Sequence, residues 1–553
     1  MGNLSPREVG INIIALFVAV GFAVYGYSVW GNEFVSFDDG LLIYDNISVL
    51  RAGTFWSVKW AFANYDPELY IPLTFLSLQL DAIIGGMNPF IFHLTNLLLH
   101  IANALLITWI IRLIFKRLDI AIILGLLFLV HPLNVEAVSW AASRKDVLSS
   151  FFFFATIVGY LRYKETRSTR LHFCNICLFV LGLLAKVSII PLPVVLLCID
   201  WYQNGALKWN DVWQKKGYII AAIPFGLLAL LGKDVVLVRS SPIHIALLIP
   251  KTTFFYLQKI IAPLNLSIFY SIDPEEVTLI NPTIIIPVLL SCISIAALWI
   301  FRKKIHTIIM GVAVMFALLM PSFLQYYRGN YLYYATDRYM YMPLLGVLFI
   351  IAFLLLRVSE KRYTTMYTLS SIILLILSFG SFHQSQLWKN TYTLFTYSLQ
   401  QDESFLAYEK VGSELLEMGR TQEAIVALKK SIELAPNSAA FVRLGVAAEE
   451  AKNWEDAKVF YLEALSSSPE HAQAHTNLGR IYWDEGKQLL AIDHMEQAVE
   501  NHKWNMMALG NLASMYTLTG QNEKAIEIID WILVLEPNNE RVRPLMKKLG
   551  VIN

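Results

Sequence analysis

Phe90-Ile-Phe-His93-Leu-Thr-Asn96-Leu-Leu-Leu-His100-Ile-Ala-Asn103-Ala-Leu-Leu-Ile-Thr-Trp-Ile-Ile-Arg112 decides what kind of chain this is. It carries no charge before Arg112, and it is long enough for a helix to cross the roughly 30 Å hydrocarbon core of a bilayer. His93, Asn96, His100 and Asn103 follow one another at steps of three, four and three, which places them on one face of that helix. Polar groups at membrane depth are costly, so such a face meets either a cavity or a partner helix. The two histidines are metal-ligand types, but no further ligand lies near them in the sequence, and no metal is predicted.

Ten further apolar stretches surround this one: Ile11–Trp30 and residues 119–134, 147–163, 172–185, 187–201, 217–232, 282–301, 305–324, 341–357 and 363–382. The first reads as an anchor and not as a removed signal peptide, because no small-residue cleavage site follows it. Residues 243–262 are apolar but hold Pro250 and Lys251 and follow Pro242, so a re-entrant or interfacial segment is expected there. The 553 residues are 56% apolar and 16% charged, where a soluble domain has about 45–50% and about 25%. This excludes an ordinary cytosolic enzyme and a disordered chain. The net charge of +1 gives no reason to expect nucleic acid as a partner.

That average conceals two different parts. Residues 1–382 hold 28 Lys and Arg against 20 Asp and Glu, while residues 383–553 hold 16 against 23 and have no long apolar run. With the N-terminus inside, 17 of the 28 cations of the first part fall in short inner loops, as the positive-inside rule requires. An odd number of spans then puts residues 383–553 on the outer face. All four cysteines (Cys174, Cys177, Cys198, Cys292) lie in the apolar part and form no disulfide framework.

The second part repeats. Gly419-Arg-Thr-Gln-Glu-Ala424, Lys452-Asn-Trp-Glu-Asp-Ala457, Gly486-Lys-Gln-Leu-Leu-Ala491 and Gly520-Gln-Asn-Glu-Lys-Ala525 align, with their alanines 33, 34 and 34 residues apart. Leu444-Gly445, Leu478-Gly479 and Leu512-Ala513 keep the same period, and Pro436, Pro469 and Pro537 mark repeat ends. A 34-residue helix–turn–helix unit with small residues where helices touch is the tetratricopeptide (TPR) pattern. The expected fold is therefore all-α. A polytopic membrane domain of about 11 spans occupies 1–382, a connecting helix 383–404, four TPRs 405–538 and a capping helix 539–553.

Candidate chemistry clusters on the outer face. Glu33, Asp38, Asp39, Asp45, Asp66 and Glu68 follow the first span, and Asp38-Asp39 is the sharpest unit. Adjacent carboxylates repel, so one of them can hold a raised pKa and serve as a base near neutrality; a solvated acidic loop reads the same way. His131-Pro-Leu-Asn-Val-Glu136 and Arg144-Lys145-Asp146 form a second charged group, and Asp337-Arg338-Tyr339-Met-Tyr341 opens a later span. Lys186 interrupts an apolar stretch near the outer boundary. Arg144, Lys186 and Arg338 could converge on an anion, since Lys and Arg suit phosphate. Snorkelling or ion pairing, for example of Arg338 with Asp337, is the alternative.

The order of these motifs resembles a known family. Phe37-Asp38-Asp39, Tyr70-Ile-Pro72-Leu-Thr74, Asn88-Pro89 with His93, Asn96 and His100, His131-Pro132 with Glu136 and Arg144-Lys145-Asp146, Asp337-Arg338-Tyr339 with Tyr341-Met-Pro343, and Trp388 with Leu394-Phe395 precede the TPRs. Together they resemble the transmembrane-and-TPR (TMTC-type) protein O-mannosyltransferases of the C-type glycosyltransferase fold. The segment around Leu257–Tyr270 resembles prokaryotic members more than animal ones. The resemblance implies Asp38 as general base, with Asp39 supporting it or orienting the acceptor. It implies Arg144, Lys186 and Arg338 as ligands of a lipid phosphate, and His93, Asn96, His131, Glu136, Asp337 and Tyr341 as residues lining the cavity.

The function so implied is inverting transfer of a mannose-like sugar from a polyprenyl- or dolichyl-phosphate donor to a Ser/Thr hydroxyl of a protein held by the TPR groove. The donor is a substrate and no cofactor is expected; an Asp-Asp pair is not the DxD pattern of metal-dependent transferases. The implied setting is a membrane, the bacterial inner membrane ahead of the endoplasmic reticulum, with the TPRs on the periplasmic or lumenal side. The alternatives are a non-enzymatic membrane scaffold that recruits proteins through its TPRs, and a transporter. A transporter predicts pseudo-symmetric halves, which this sequence does not display.

Overall fold

The computed structural model describes residues 6–65, 69–231, 241–324, 327–328, 331–536 and 539–552. Asp66, Glu68 and Pro537 lie outside them. The chain divides into two compact units, Met1–Thr393 and Leu394–Asn553.

Helices cover all eleven apolar stretches of the first unit. Among the described residues, six helices are long and apolar enough to cross a membrane: Arg7–Gly31, Pro89–Phe115, Val187–Asn204, Pro282–Phe301, His306–Phe323 and Glu360–Gln386. Leu118–Val130 and Pro132–Ser139 form a pair bent by 54°; the break falls at His131-Pro132, where proline cannot continue the backbone ladder. Thr169–Ala185, Lys216–Leu231 and Leu344–Leu356 are apolar but shorter. Arg144–Thr166 is a 23-residue helix with charge in its first and last turns. Residues 243–262 form one helix, Pro242–Ile261, with Pro250 inside it.

Two elements were not expected. Pro72–Gly85 is an apolar 14-residue helix within what reads as an outer loop. Gly86, at φ +63°, ends it just before the long Pro89–Phe115 helix begins. A small antiparallel sheet places Tyr331–Ala335 between Tyr270–Ile272 and Tyr327–Arg328. Its Tyr-rich sequence has the aromatic character that favours strands. Helices His306–Leu319 and Leu344–Leu356 approach backbone to backbone at Gly311 and Gly346, where any Cβ would run into the opposite carbonyl; small residues commonly allow this in membrane helix pairs.

The first unit extends past residue 382, and the reason is local. Lys389 O accepts a hydrogen bond from Glu33 N (2.7 Å), and Thr391 Oγ1 accepts one from Ser36 N (2.8 Å). Trp388 stacks on Trp140. The strand of chain expected to connect the two parts is therefore partly built into the membrane unit.

The second unit is a run of helix pairs: Phe405–Glu417 with Thr421–Leu434, Ser438–Glu450 with Trp454–Ser467, Ala472–Asp484 with Gln488–Asn501, and Met506–Leu518 with Asn522–Leu535. Ala424, Ala457, Ala491 and Ala525 are fully buried at the helix contacts, as the repeat requires. The turns need a left-handed residue, supplied by Gly419, Gly486 and Gly520 at φ +71°, +78° and +76°. The second repeat has Lys452 there, at φ +58°. A side chain in that region is strained by roughly 1–2 kcal/mol. Lys452→Gly is expected to stabilise the TPR unit by about 1 kcal/mol, read as a rise in its thermal unfolding midpoint in the full chain; an unchanged or lowered midpoint refutes the strain.

Candidate active site

The acidic pair after the first span is split by its surroundings. Asp39 is fully buried. Its Oδ2 accepts from Val35 N (2.7 Å) and its Oδ1 from Ala142 N (2.8 Å). Oδ2 thus closes the loop on itself, and Oδ1 ties it to the turn at Ala141–Ser143. Burial pushes the Asp39 carboxyl up to about 7, against the pull of those two N–H groups and with a further push from the Asp38 charge. Asp38 keeps 29% of its side chain exposed, and its Oδ2 lies 3.5 Å from Lys145 Nζ. The raised pKa expected of the pair belongs to the carboxyl that holds the backbone, and the accessible carboxylate is its neighbour.

Arg144 corrects an expectation. Its side chain is wholly buried. Nε donates to Asn96 Oδ1 (2.6 Å), Nη1 to Ser77 Oγ (2.9 Å), and Nη2 to Asp81 Oδ2 (2.6 Å) and Phe92 O (2.9 Å). A guanidinium so engaged and screened from solvent is not placed to take a phosphate. The cation beside Asp38 is the next residue, Lys145. Successive residues at a helix start point about 100° apart, so Arg144 faces Asp81, Lys145 faces Asp38, and Asp146 takes Lys186 Nζ at 2.6 Å.

The other two expected cations, Lys186 and Arg338, are each paired with a carboxylate. Arg338 pairs through Nη1 with Glu136 Oε1, while its backbone N donates to Glu136 Oε2 (2.9 Å). Its partner is thus Glu136, and not the adjacent Asp337. Lys186 lies within electrostatic reach of both Lys145 and Arg338. Asp337 is buried and accepts from Tyr270 OH (3.0 Å); burial and the Glu136 charge push its carboxyl well above the usual range. Aromatic rings flank the group. Phe37 stacks on Trp140 with centroids 5.4 Å apart and meets the edge of Phe269 at 5.3 Å, while the Arg338 guanidinium sits 5.2 Å from the centroid of the Trp140 ring.

The polar stripe of the Pro89–Phe115 helix bonds to its neighbours, which corrects the assignment of Asn96 and Tyr341 to a cavity wall. Besides holding Arg144, Asn96 donates to Trp140 O (2.9 Å). Tyr341 OH is held by His100 Nδ1 (2.7 Å) and Asn103 Nδ2 (3.0 Å). His93 is buried on the same face. His131 is also buried: Nδ1 accepts from Leu133 N (3.3 Å), and Nε2 lies 3.1 Å from Ile260 O. Glu136 and Asp337 do belong to the charged group. The sequence reading missed Lys145 as the neighbour of Asp38, Asp81 as the counter-ion of Arg144, and Trp140 and Phe269 as ring partners. Lys145 was visible in the Arg-Lys-Asp run, whereas Asp81 gives no signal without the fold.

Fold and site thus define a polytopic helical membrane protein with a buried, ion-paired charged group at one end of its helices and a TPR array after it. Models of the tetratricopeptide repeat match residues 406–438 and 457–503. The chain is similar to human protein O-mannosyl-transferase TMTC3, 22% identical across 96% of this chain and 60% of that protein. Human TMTC1 is 24% identical across 77% of this chain and 55% of its own length. The chain is thus similar to the TMTC-type protein O-mannosyltransferases, and it spans about 60% of the length of human and mouse TMTC3. Among solved structures, MamA is 21% identical and covers 27% of this chain and 87% of its own, with a TM-score of 0.24.

Two outcomes are expected. Asp81→Ala strands the buried Arg144 charge and should destabilise the membrane unit by about 3–5 kcal/mol. The double variant with Arg144→Met should recover part of this in thermal unfolding; additive losses would mean the pair is not coupled. Asp39 releases its proton near 7 when folded but near 3.8 in its unperturbed state, so the folded chain binds the extra proton between those values. Its contribution to stability therefore falls as pH rises from about 4 to about 7 and is flat above. Wild type should lose stability relative to Asp39→Asn over that window, and parallel pH profiles would refute the shift.

Proposed function

We propose that the chain transfers a mannose-like sugar from a polyprenyl- or dolichyl-phosphate to a Ser/Thr hydroxyl of a protein, with inversion. The observation that carries this reading is Asp38, a partly exposed carboxylate 3.5 Å from Lys145 and part of a group to which Lys186 and Arg338 also belong. A weak nucleophile such as a hydroxyl needs a base within hydrogen-bond reach, and a departing phosphate needs fixed positive charge. In the proposed step the acceptor oxygen bonds to the anomeric carbon opposite the phosphate, its proton passes to Asp38, and the carbon–phosphate oxygen bond breaks. One displacement inverts the anomeric centre. Lys145, Lys186 and Arg338 share the charge of the leaving lipid phosphate, and Asp39 holds the loop that aims Asp38. The lipid-phosphate sugar is consumed as a substrate and the reaction draws on no cofactor.

The TPR groove is the proposed seat of the acceptor polypeptide, and the distribution of Lys and Arg among the loops supports a periplasmic or lumenal side for it, in a bacterial inner membrane ahead of endoplasmic reticulum. The scaffold reading has one observation in its favour: Lys145, Lys186 and Arg338 are already ion-paired with Asp38, Asp146 and Glu136, as in a purely structural network.

Transfer of labelled mannose from polyprenyl-phosphate mannose to a Ser/Thr-rich protein, in membranes carrying the full chain, separates the two. Asp38→Asn should lower the rate by about 10²–10⁴-fold, and Lys145→Met should lower it as well. No transfer by wild type, or transfer at the wild-type rate by Asp38→Asn, would remove the proposed chemistry.

A further inference from the structure

The charged group lies beside the first turns of the Pro89–Phe115 helix, and the last turns of that helix border a separate cavity. With 27 residues at about 1.5 Å each, the helix spans about 40 Å, so the cavity lies at the opposite end of that helix from the charged group. It has a volume of about 570 Å³. Lys304, His306 and Gln203 give it a polar side, and Trp201, Ile114 and Phe353 an aromatic and aliphatic one. Among the described residues, no carboxylate lines it.

Further cations stand close behind. Lys164 Nζ donates to Gln203 Oε1 at 2.7 Å, and the Arg357 guanidinium sits 4.2 Å from the centroid of the Phe353 ring. His306 and Trp201 are in ring contact at 5.6 Å. Asp200, the residue before Trp201, is engaged elsewhere: it is buried and takes hydrogen bonds from Tyr160 (2.6 Å), Lys164 (2.7 Å) and Lys215. Asp200 thus neutralises Lys164, and Lys304 is left as the lysine that lines the cavity.

A rim that carries Lys304 and His306 over an apolar floor, set between the ends of membrane helices, matches an amphiphile with a phosphate head. We propose that this cavity binds the headgroup of an anionic phospholipid in the leaflet opposite the proposed transfer site. Lys304 and His306 would contact the phosphate, and Ile114 and Phe353 the glycerol and first methylenes. Basic pockets between helix ends are a recurrent form of headgroup recognition. The assignment is independent of the proposed transferase activity.

The test is native mass spectrometry of the full chain in detergent, titrated with phosphatidylglycerol, with phosphatidylcholine, and with phosphatidylglycerol in the presence of inorganic phosphate. Wild type should retain phosphatidylglycerol in preference to phosphatidylcholine. Lys304→Gln/His306→Gln, two exposed positions, should weaken phosphatidylglycerol binding by at least about fivefold, Lys304→Arg should keep it, and Lys361→Gln/Arg362→Gln in another basic loop should leave it unchanged. Equal retention of the two lipids, or a preference that survives Lys304→Gln/His306→Gln, overturns the site. Displacement of phosphatidylglycerol by millimolar inorganic phosphate overturns the lipid as its occupant.

Discussion

Charges withdrawn from water inside a membrane protein must be paired or neutralised, and here that constraint converges on one short segment. Residues 131–146 bend at His131-Pro132 and turn again before the Arg144–Thr166 helix. Between those bends they present Glu136 to Arg338, the Ala142 N–H to Asp39, Arg144 to Asp81, Lys145 to Asp38 and Asp146 to Lys186. Four remote parts of the membrane unit, the Asp38-Asp39 loop, the Pro72–Gly85 helix, Lys186 and Arg338, are therefore held against this one segment. The rest of the site inherits its geometry from this hub.

The hub also divides labour among residues that look alike. Asp38 and Asp39 are adjacent, yet one is spent on two backbone N–H groups and the other keeps an open side. Arg144 and Lys145 are adjacent cations, yet the first is a buried structural ion and the second faces Asp38. Asp39 and Arg144 hold the loop, and the residues next to them carry the charges that the proposed chemistry uses. The stacked rings of Phe37, Trp140 and Trp388 hold the same loop from its apolar side, so Asp38 rides on a rigid base, the arrangement that catalytic positioning demands.

The TPR unit obeys a different logic. Its stability comes from repetition: buried alanines at the helix contacts and left-handed turns recur with the period, so each repeat packs on the next. Lys452 departs from that pattern, holding φ +58° in a turn where the other repeats have glycine.

Periodicity and hydropathy were legible in the chain alone, because both are local. The eleven apolar stretches are helical, the repeats begin and end where their glycines and alanines place them, and the charged motifs beside the membrane could be named. Two things were not legible. The Pro72–Gly85 helix is short and holds Asp81, so hydropathy did not separate it from a loop. The division between neighbours in the Asp38-Asp39 and Arg144-Lys145-Asp146 runs depends on which way each side chain turns about its axis, and that is set by contacts from segments tens to hundreds of residues away. Residue type reveals that charges must find partners; only the tertiary structure decides which partner each one finds, because pairing is a property of distance in space and not of distance along the chain.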